Sequence, residues 1–401
     1  MKINLNSFLT SVSMALDAVE EELLFTTTNH GKRVAYIAIR LGQLNNLSKE
    51  ELFDLCSYAI LHDNGIIQSY QKLPNTKSSV EIEDLQEHCK IGEKNISSFP
   101  FLTNQKNVIL YHHEHYDGTG FFKKKSDDIP LFSQLIFLAD MIDREFDLNN
   151  ISLQIKDDVI DFIKENKCKL FSPKLVENFL ILASNQSFWF DLDKNAILGV
   201  YSKYVPNINV EITYEKMLEI SKVLSVIIDS KSKFTAQHTM DLMEKSKIVA
   251  KHYNLSSDSS LRLQIAANLH DLGKLYTPLE ILDKAGPLTD EEMFIMKKHA
   301  YSTFALLNTI EGFEDVNKIA SSHHEKLDGS GYPFGLKDIQ LEFEERVLAC
   351  LDIYQALTEM RPYRRSMTHQ EAMNILYSSA ENNLIDINIV KDIDKIFGRV
   401  N

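Results

Sequence analysis

Ten of the thirteen histidines fall into two sets of five, and each set comes with two aspartates. The first set is His30, His62, Asp63, His88, His112, His113 and Asp140; the second is His238, His270, Asp271, His299, His323, His324 and Asp352. Matched in order, they are separated by 208, 208, 208, 211, 211, 211 and 212 residues, a regularity that chance does not preserve. Imidazole and carboxylate are the ligands that borderline transition metals take, and a carboxylate has two oxygens with which to bridge two ions. A closed structural zinc site needs only four ligands, so seven argue for a centre with chemistry to do. Asp271 is the natural bridge, with His238 and Asp352 completing one ion and His299 the other. Two ions about 3.5–4 Å apart clamp a phosphoryl centre, acidify a bridging water and stabilise the leaving oxygen.

The elements that must hold these ligands are helical. His30, Val34, Ile37 and Leu41 recur at helical spacing, and His238, Leu242, Lys245 and Val249 repeat it. Adjacent His270 and Asp271, about 100° apart on a helix, face a metal pair from one side, and His323-His324 do the same from another helix. Each His-Asp pair ends an apolar stretch and is followed by a glycine, Gly65 or Gly273, as suits a helix C-terminus where φ > 0 is often needed. Strand-like alternation is scarce, so the fold class is all-α. The repeat extends past the last ligand: Leu170 to Val176 lines up with Leu384 to Val390 at an offset of 214. This predicts a first domain over 1–190, a connector over 191–212 containing Gly199 and Pro206, and a second domain over 213–401. Trp189, between Phe188 and Phe190, is expected to anchor contact between the domains.

With 401 residues, 44% of them apolar, each half is able to bury a core. The net charge of −14 argues against general nucleic-acid binding or an anionic membrane surface, though bound cations still allow a small anionic substrate. Cys56, Cys89, Cys168 and Cys350 are scattered without a Cys-x-x-Cys pair, as expected for buried thiols in a reducing cytoplasm. Acidic residues interrupt the N-terminal apolar stretch and no long apolar span follows, so a cytoplasmic protein without a membrane segment is expected.

The second repeat resembles the HD-GYP family, a branch of the HD-domain metal phosphohydrolases. The resemblance covers roughly residues 215–395. It is carried by Phe234-Thr235-Ala236-Gln237-His238, His270-Asp271-Leu272-Gly273-Lys274, His299, His323-His324-Glu325 through Gly331-Tyr332-Pro333, and Asp352 followed by Arg361-Pro362-Tyr363-Arg364. It implies two tandem HD-domain helical bundles and hydrolysis of the 3′–5′ phosphodiester bonds of a bacterial cyclic dinucleotide. By resemblance the seven residues of the second set hold two divalent ions, and Lys274 neutralises phosphate oxygens beside them. Tyr332, Gly331, Pro333, Arg361 and Arg364 bind substrate, and Arg365 lies on the surface. Iron and manganese suit such mixed sites. Phe234 stands where some members supply a glutamate for a third metal, which favours a two-metal site. Gln355 stands where an aspartate is common.

The first repeat keeps all seven metal-type residues but has Ile66 in place of the lysine and Gly120-Phe121-Phe122 in place of Gly-Tyr-Pro. Asn149 and Ser152 stand in place of the arginines. It is expected to bind metal without turning over substrate. Tandem arrangements with a degenerate first copy resemble the subset linked to 3′,3′-cyclic GMP-AMP, with cyclic di-GMP the other candidate. A phosphohydrolase of linear nucleotides and a non-enzymatic signalling module remain open as alternatives.

Overall fold

The computed structural model describes residues 2–3, 5–24, 28–71, 82–208, 210–231, 238–360 and 365–398. Phe234, Arg361 and Arg364 lie outside the described residues. Nineteen α-helices account for most of the described chain, and the only strands among the described residues are the paired two-residue segments Lys2–Ile3 and Val210–Glu211. The all-α class therefore holds. Two compact units divide the chain: Asn4–Val210, and Glu211–Asn401 together with Met1–Ile3.

In the first unit, helices Leu5–Leu24, His30–Leu44, Lys49–Ile60 and Leu131–Glu145 surround a core that includes Phe8, Val34, Ile37, Phe53, Leu135 and Leu138. In the second, Tyr214–Asp229, His238–His252, Ser257–Leu269 and Phe343–Thr358 repeat that set around Met217, Leu224, Leu242, Leu263, Val347 and Leu351. The helix starts are written locally. Ser48 and Glu51 form a capping box, as do Thr289 with Glu292 and Thr368 with Glu371, each cap contributing on the order of 1 kcal/mol. Ser172 and Asp386, matched at the offset of 214, cap helices Pro173–Ala183 and Ile387–Phe397.

Several expectations need correction. Within the stretch expected as a connector, helix Ile197–Tyr204 buries Ile197 and Tyr201, and the Tyr201 hydroxyl meets the Cys56 thiol at 2.9 Å. Its apolar residues recur at helical spacing, so it behaves as core of the first unit. Trp189 packs inside that unit on Phe179 and Phe188, and its indole N–H donates to the Ala183 carbonyl at 2.8 Å. Cys168 is exposed rather than buried. Neither Gly65 nor Gly273 has positive φ. A Cβ on Gly273 would stand 2.0 Å from the His299 carbonyl oxygen, and one on Gly65 2.3 Å from that of His88. Glycine is needed there for close approach between loop and helix, not for a left-handed turn.

Candidate metal centre

The ligands sit at helix ends, where backbone direction changes and side chains from several helices converge. His30 and His238 open their helices. His270 is the C-cap of Ser257–Leu269 and Asp271 follows it, so the pair lies at a helix end rather than along a helix face. His323-His324 likewise follow helix Glu314–Ser321. His299 and Asp352 instead project from helix interiors, those of Asp290–Leu307 and Phe343–Thr358, as His88 and Asp140 do from Ile82–Asn95 and Leu131–Glu145 in the first unit.

The seven residues of the second unit converge. The ligand atoms of His238, His270 and Asp352 lie within 4.8 Å of one another, as do those of His299, His323 and His324, and those of His270, Asp271 and His323. Asp271 spans the two groups: Oδ2 is 3.1 Å from His270 Nε2, and Oδ1 is 3.5 Å from His299 Nε2. The first unit repeats the pattern with His30, His62 and Asp140 in one group and His88, His112 and His113 in the other. Asp63 Oδ2 is 3.4 Å from His62 Nε2, and Oδ1 is 3.2 Å from His88 Nε2.

Hydrogen bonds fix which imidazole nitrogen faces inward. Nδ1 of His270, His299 and His323 donates to the carbonyls of Ala267, Met296 and Ala320 at 2.8, 2.6 and 2.7 Å. His62 and His112 do the same to Ala59 and Ile109. A carbonyl only accepts, so Nδ1 carries the proton and Nε2 presents its lone pair to the centre. Lone pairs and carboxylate oxygens then face one another. Both carboxylate oxygens of Asp63 and Asp140, and Oδ1 of Asp271, are buried without a hydrogen-bond partner, although the Arg144 guanidinium stands 3.7 Å from Asp140 Oδ2. Buried anionic oxygens in that state are costly, and a cation is the partner that relieves them. The donor set therefore fits metal ions in both units.

The electrostatics agree. Burial opposes ionisation of Asp271, yet His270, Lys274 and His299 together hold its carboxyl well below the usual range. Burial brings His299 down to about 4 and His324 to about 3, which leaves both neutral and able to ligate. His238 behaves oppositely: burial disfavours its charge, but hydrogen bonds to Asp352 and Glu359 raise it to about 9.

Several residues that support the ligands were not singled out from the sequence. Asp143 accepts from His30 Nδ1 at 2.7 Å and is itself gripped by buried Arg33, which also donates to Asn149 at 2.8 Å. The matching position in the second unit is Gln355, which takes the ammonium of Lys245 at 2.6 Å instead. Glu359, one helical turn further on, reaches His238 Nδ1 at 2.9 Å and supplies the missing carboxylate. Asp17 accepts the N–H of Gly31 at 2.9 Å, and Asp229 accepts the hydroxyl of Thr239 at 2.6 Å, each steadying the start of the helix that opens with a ligand. Thr303 accepts the N–H of Gly273 and donates to the carbonyl of His270, both at 2.9 Å, and so clasps the loop between them.

Lys274 Nζ donates to Asp271 Oδ2 at 2.5 Å, while Ile66 is buried at its place in the first unit. Gly331 packs its backbone on Glu325 and Lys326, where a Cβ would come within 2.4 Å of the Lys326 nitrogen. The Tyr332 ring lies 4.7 Å from that of His324, and the Lys297 ammonium stands 5.3 Å over it. Glu325 staples this loop by accepting the N–H groups of Phe334 and Leu336 at 2.6 and 2.9 Å. Glu114 does likewise for Phe122 and Lys124 in the first unit, so the loop scaffold survives there without the tyrosine hydroxyl. Arg365 is exposed and paired with Glu371. His115, His252 and His369 stand apart, bonded to Thr119, Asp392 and Tyr354.

The HD domain family matches the chain over residues 17–145 and 222–389, one stretch in each unit, and the chain belongs to this family. The 3′3′-cGAMP-specific phosphodiesterase 1 of Vibrio cholerae serotype O1 is 32% identical over 385 residues, spanning 93% of this chain and 87% of that protein. The cyclic di-GMP phosphodiesterase response regulator RpfG of Xanthomonas campestris pv. campestris is 39% identical over 133 residues, 33% of this chain and 35% of that protein. The crystal structure of the cyclic GMP-AMP specific phosphodiesterase V-cGAP3 of V. cholerae aligns with a TM-score of 0.67 at 24% identity, over 100% of this chain and 99% of that one, a likeness of fold. Among the described residues, no helix is long and apolar enough to cross a membrane.

Proposed function

We propose that the second unit hydrolyses a 3′–5′ phosphodiester bond of a bacterial cyclic dinucleotide, with 3′,3′-cyclic GMP-AMP as the substrate, to give the linear dinucleotide. The observation that carries this reading is the pairing of His238, His270 and Asp352 with His299, His323 and His324 across Asp271, with the Lys274 ammonium beside that carboxylate. The first unit has the same groups but no cation at the lysine position.

Each group would hold one divalent ion, iron or manganese by ligand type, with Asp271 between them. When bound, the ion pair supplies Lewis acidity toward a phosphate oxygen and a water activated for attack. The chain's own residues do the rest. Lys274 offsets charge that develops on the non-bridging phosphate oxygens. Tyr332, held against His324 by the stapled loop, forms one wall for the substrate, and the backbone at Gly331 and Pro333 keeps that wall close. Arg361 and Arg364 supply forked donors for the two phosphates. In the first unit the same donor types would hold metal for stability, with Ile66, Phe121, Asn149 and Ser152 standing where the second unit has the residues assigned to phosphate binding.

The preference for the mixed nucleotide is supported by the length of the match. Two cGAMP-specific relatives align over 93% of the chain, whereas the cyclic di-GMP enzymes, and a third cGAMP-specific relative, align over 41% of it or less. The test is to incubate metal-reconstituted protein with 3′,3′-cyclic GMP-AMP, cyclic di-GMP and a linear dinucleotide, and to identify the products by mass spectrometry. Linear product from the mixed cyclic nucleotide in preference to the other two is expected. Preferential cleavage of the linear compound would replace this reading with that of a linear-nucleotide phosphohydrolase, and no cleavage of any would favour a signalling module.

A further inference from the structure

The two units differ inside their metal clusters at one position that the repeat comparison passes over. Cys89 follows His88 on helix Ile82–Asn95, and at the offset of 211 its counterpart in the second unit is Ala300. Its thiol lies 3.7 Å from His88 Nε2, the nitrogen that also meets Asp63 Oδ1 at 3.2 Å and His112 Nε2 at 3.3 Å. The ligand atoms of His88, Cys89, His112 and His113 all fall within 4.8 Å of one another, and all four residues are buried. Two further atoms support a ligand here: His113 Nε2 and Asp63 Oδ1 are buried without a hydrogen-bond partner.

We infer that His88, Cys89, His112 and His113 form a histidine–thiolate pocket in the first unit that selects zinc, in contrast to the sulfur-free centre of the second. The inference rests on the reading that the first unit binds metal. Thiolate is a soft donor and favours zinc over iron(II) and manganese, whereas imidazole with carboxylate alone does not discriminate in that way. Four ligands of this kind satisfy zinc's tetrahedral preference. Charge favours the same assignment: a dication with one thiolate and the Asp63 carboxylate is neutral overall, which reduces the penalty for burying it. On binding, the S–H bond gives way to a sulfur–zinc bond, and the proton passes to solvent. The chain would thus carry two centres of different metal preference, one for turnover and one that fixes the first unit.

Cobalt(II) substitution tests this in the full-length protein, because thiolate-to-cobalt charge transfer absorbs in the near ultraviolet. The second unit contributes none of that absorption, since no cluster among its described residues includes a cysteine. The expected result is a band in wild type and in Cys168→Ser that disappears in both Cys89→Ser and Cys89→Ala. Zinc affinity in these two variants should fall by at least about 100-fold, the upper end of what even outer-shell changes cost. Two variants guard against misfolding, and alanine is the residue the second unit accommodates at Ala300. A band that persists in both variants overturns the proposal. Asp271→Ala, which removes the carboxylate set between the two groups of the second unit, separates the remaining outcomes. Metal retained in that background without a band removes Cys89 from the site but leaves first-unit metal binding intact; no metal at all overturns both.

Discussion

Lys274→Met is the substitution from which the mechanism has most to lose. The ammonium donates to Asp271 at 2.5 Å, between the two ligand groups, and only a quarter of the side chain is exposed (23%). For a phosphate oxygen about 4 Å from Nζ, a unit charge would contribute about 4 kcal/mol at an effective dielectric near 20. Removing one preorganised donor of this kind costs about 10²–10³ in rate, so kcat should fall by that factor. Metal content should not fall, because the ammonium would repel any divalent ion held there. The assay pairs turnover of 3′,3′-cyclic GMP-AMP with elemental analysis of the same sample. Near wild-type kcat at full metal loading would refute the role given to Lys274, and so would a rate loss that merely tracks metal loss.

Gly273→Ala forces a Cβ to 2.0 Å from the His299 carbonyl, so the loop must move; a loss of about 3 kcal/mol and a sharp fall in turnover are expected, checked by denaturant unfolding and kcat. Wild-type behaviour in both would contradict the packing argument. Glu359→Gln withdraws the charge that orients His238, and metal affinity should drop about 10–100-fold in a chelator competition, whereas an unchanged affinity would assign Glu359 to the surface. In metal-free protein His238 is raised to about 9 against about 6.5 when unfolded, so its charged pairing stabilises the fold fully below pH ~6.5 and fades as pH rises through about 9. The stability difference between chelated wild type and His238→Gln should shrink over that window, and a difference that grew with pH would reverse the sign of the argument.

The candidate ligands were legible because metals demand particular residue types, and duplication displays those types twice; the structure brings these side chains together. The helices were legible where one face is apolar, as along His30, Val34, Ile37 and Leu41. What stayed hidden is what tertiary packing decides. Glu359 takes over from Asp143 one turn away, so matching residues in register finds Gln355 and reports a loss that the fold has repaired. Asp17 and Asp229 act on neighbouring helices and carry no spacing signal of their own. Cys89 resembled any buried thiol until its sulfur was found beside His88. The glycines after each His-Asp pair stand out in the sequence, but the reason for them lies across space in the carbonyls of His88 and His299. The stretch 191–212 suggests a connector through its Gly, Pro and Asn content, while the burial of Ile197 and Tyr201 is set by the core they meet.

We propose a division of labour between two similar clusters of metal-type residues: one turns over substrate and the other does not. Asp271→Ala and Asp63→Ala in the full-length chain address it directly, each assayed for hydrolysis of 3′,3′-cyclic GMP-AMP alongside circular dichroism to verify folding. The predicted result is that folded Asp271→Ala loses hydrolysis while Asp63→Ala keeps turnover close to wild type. Loss of activity in Asp63→Ala with turnover preserved in Asp271→Ala would contradict it and exchange the roles of the two units.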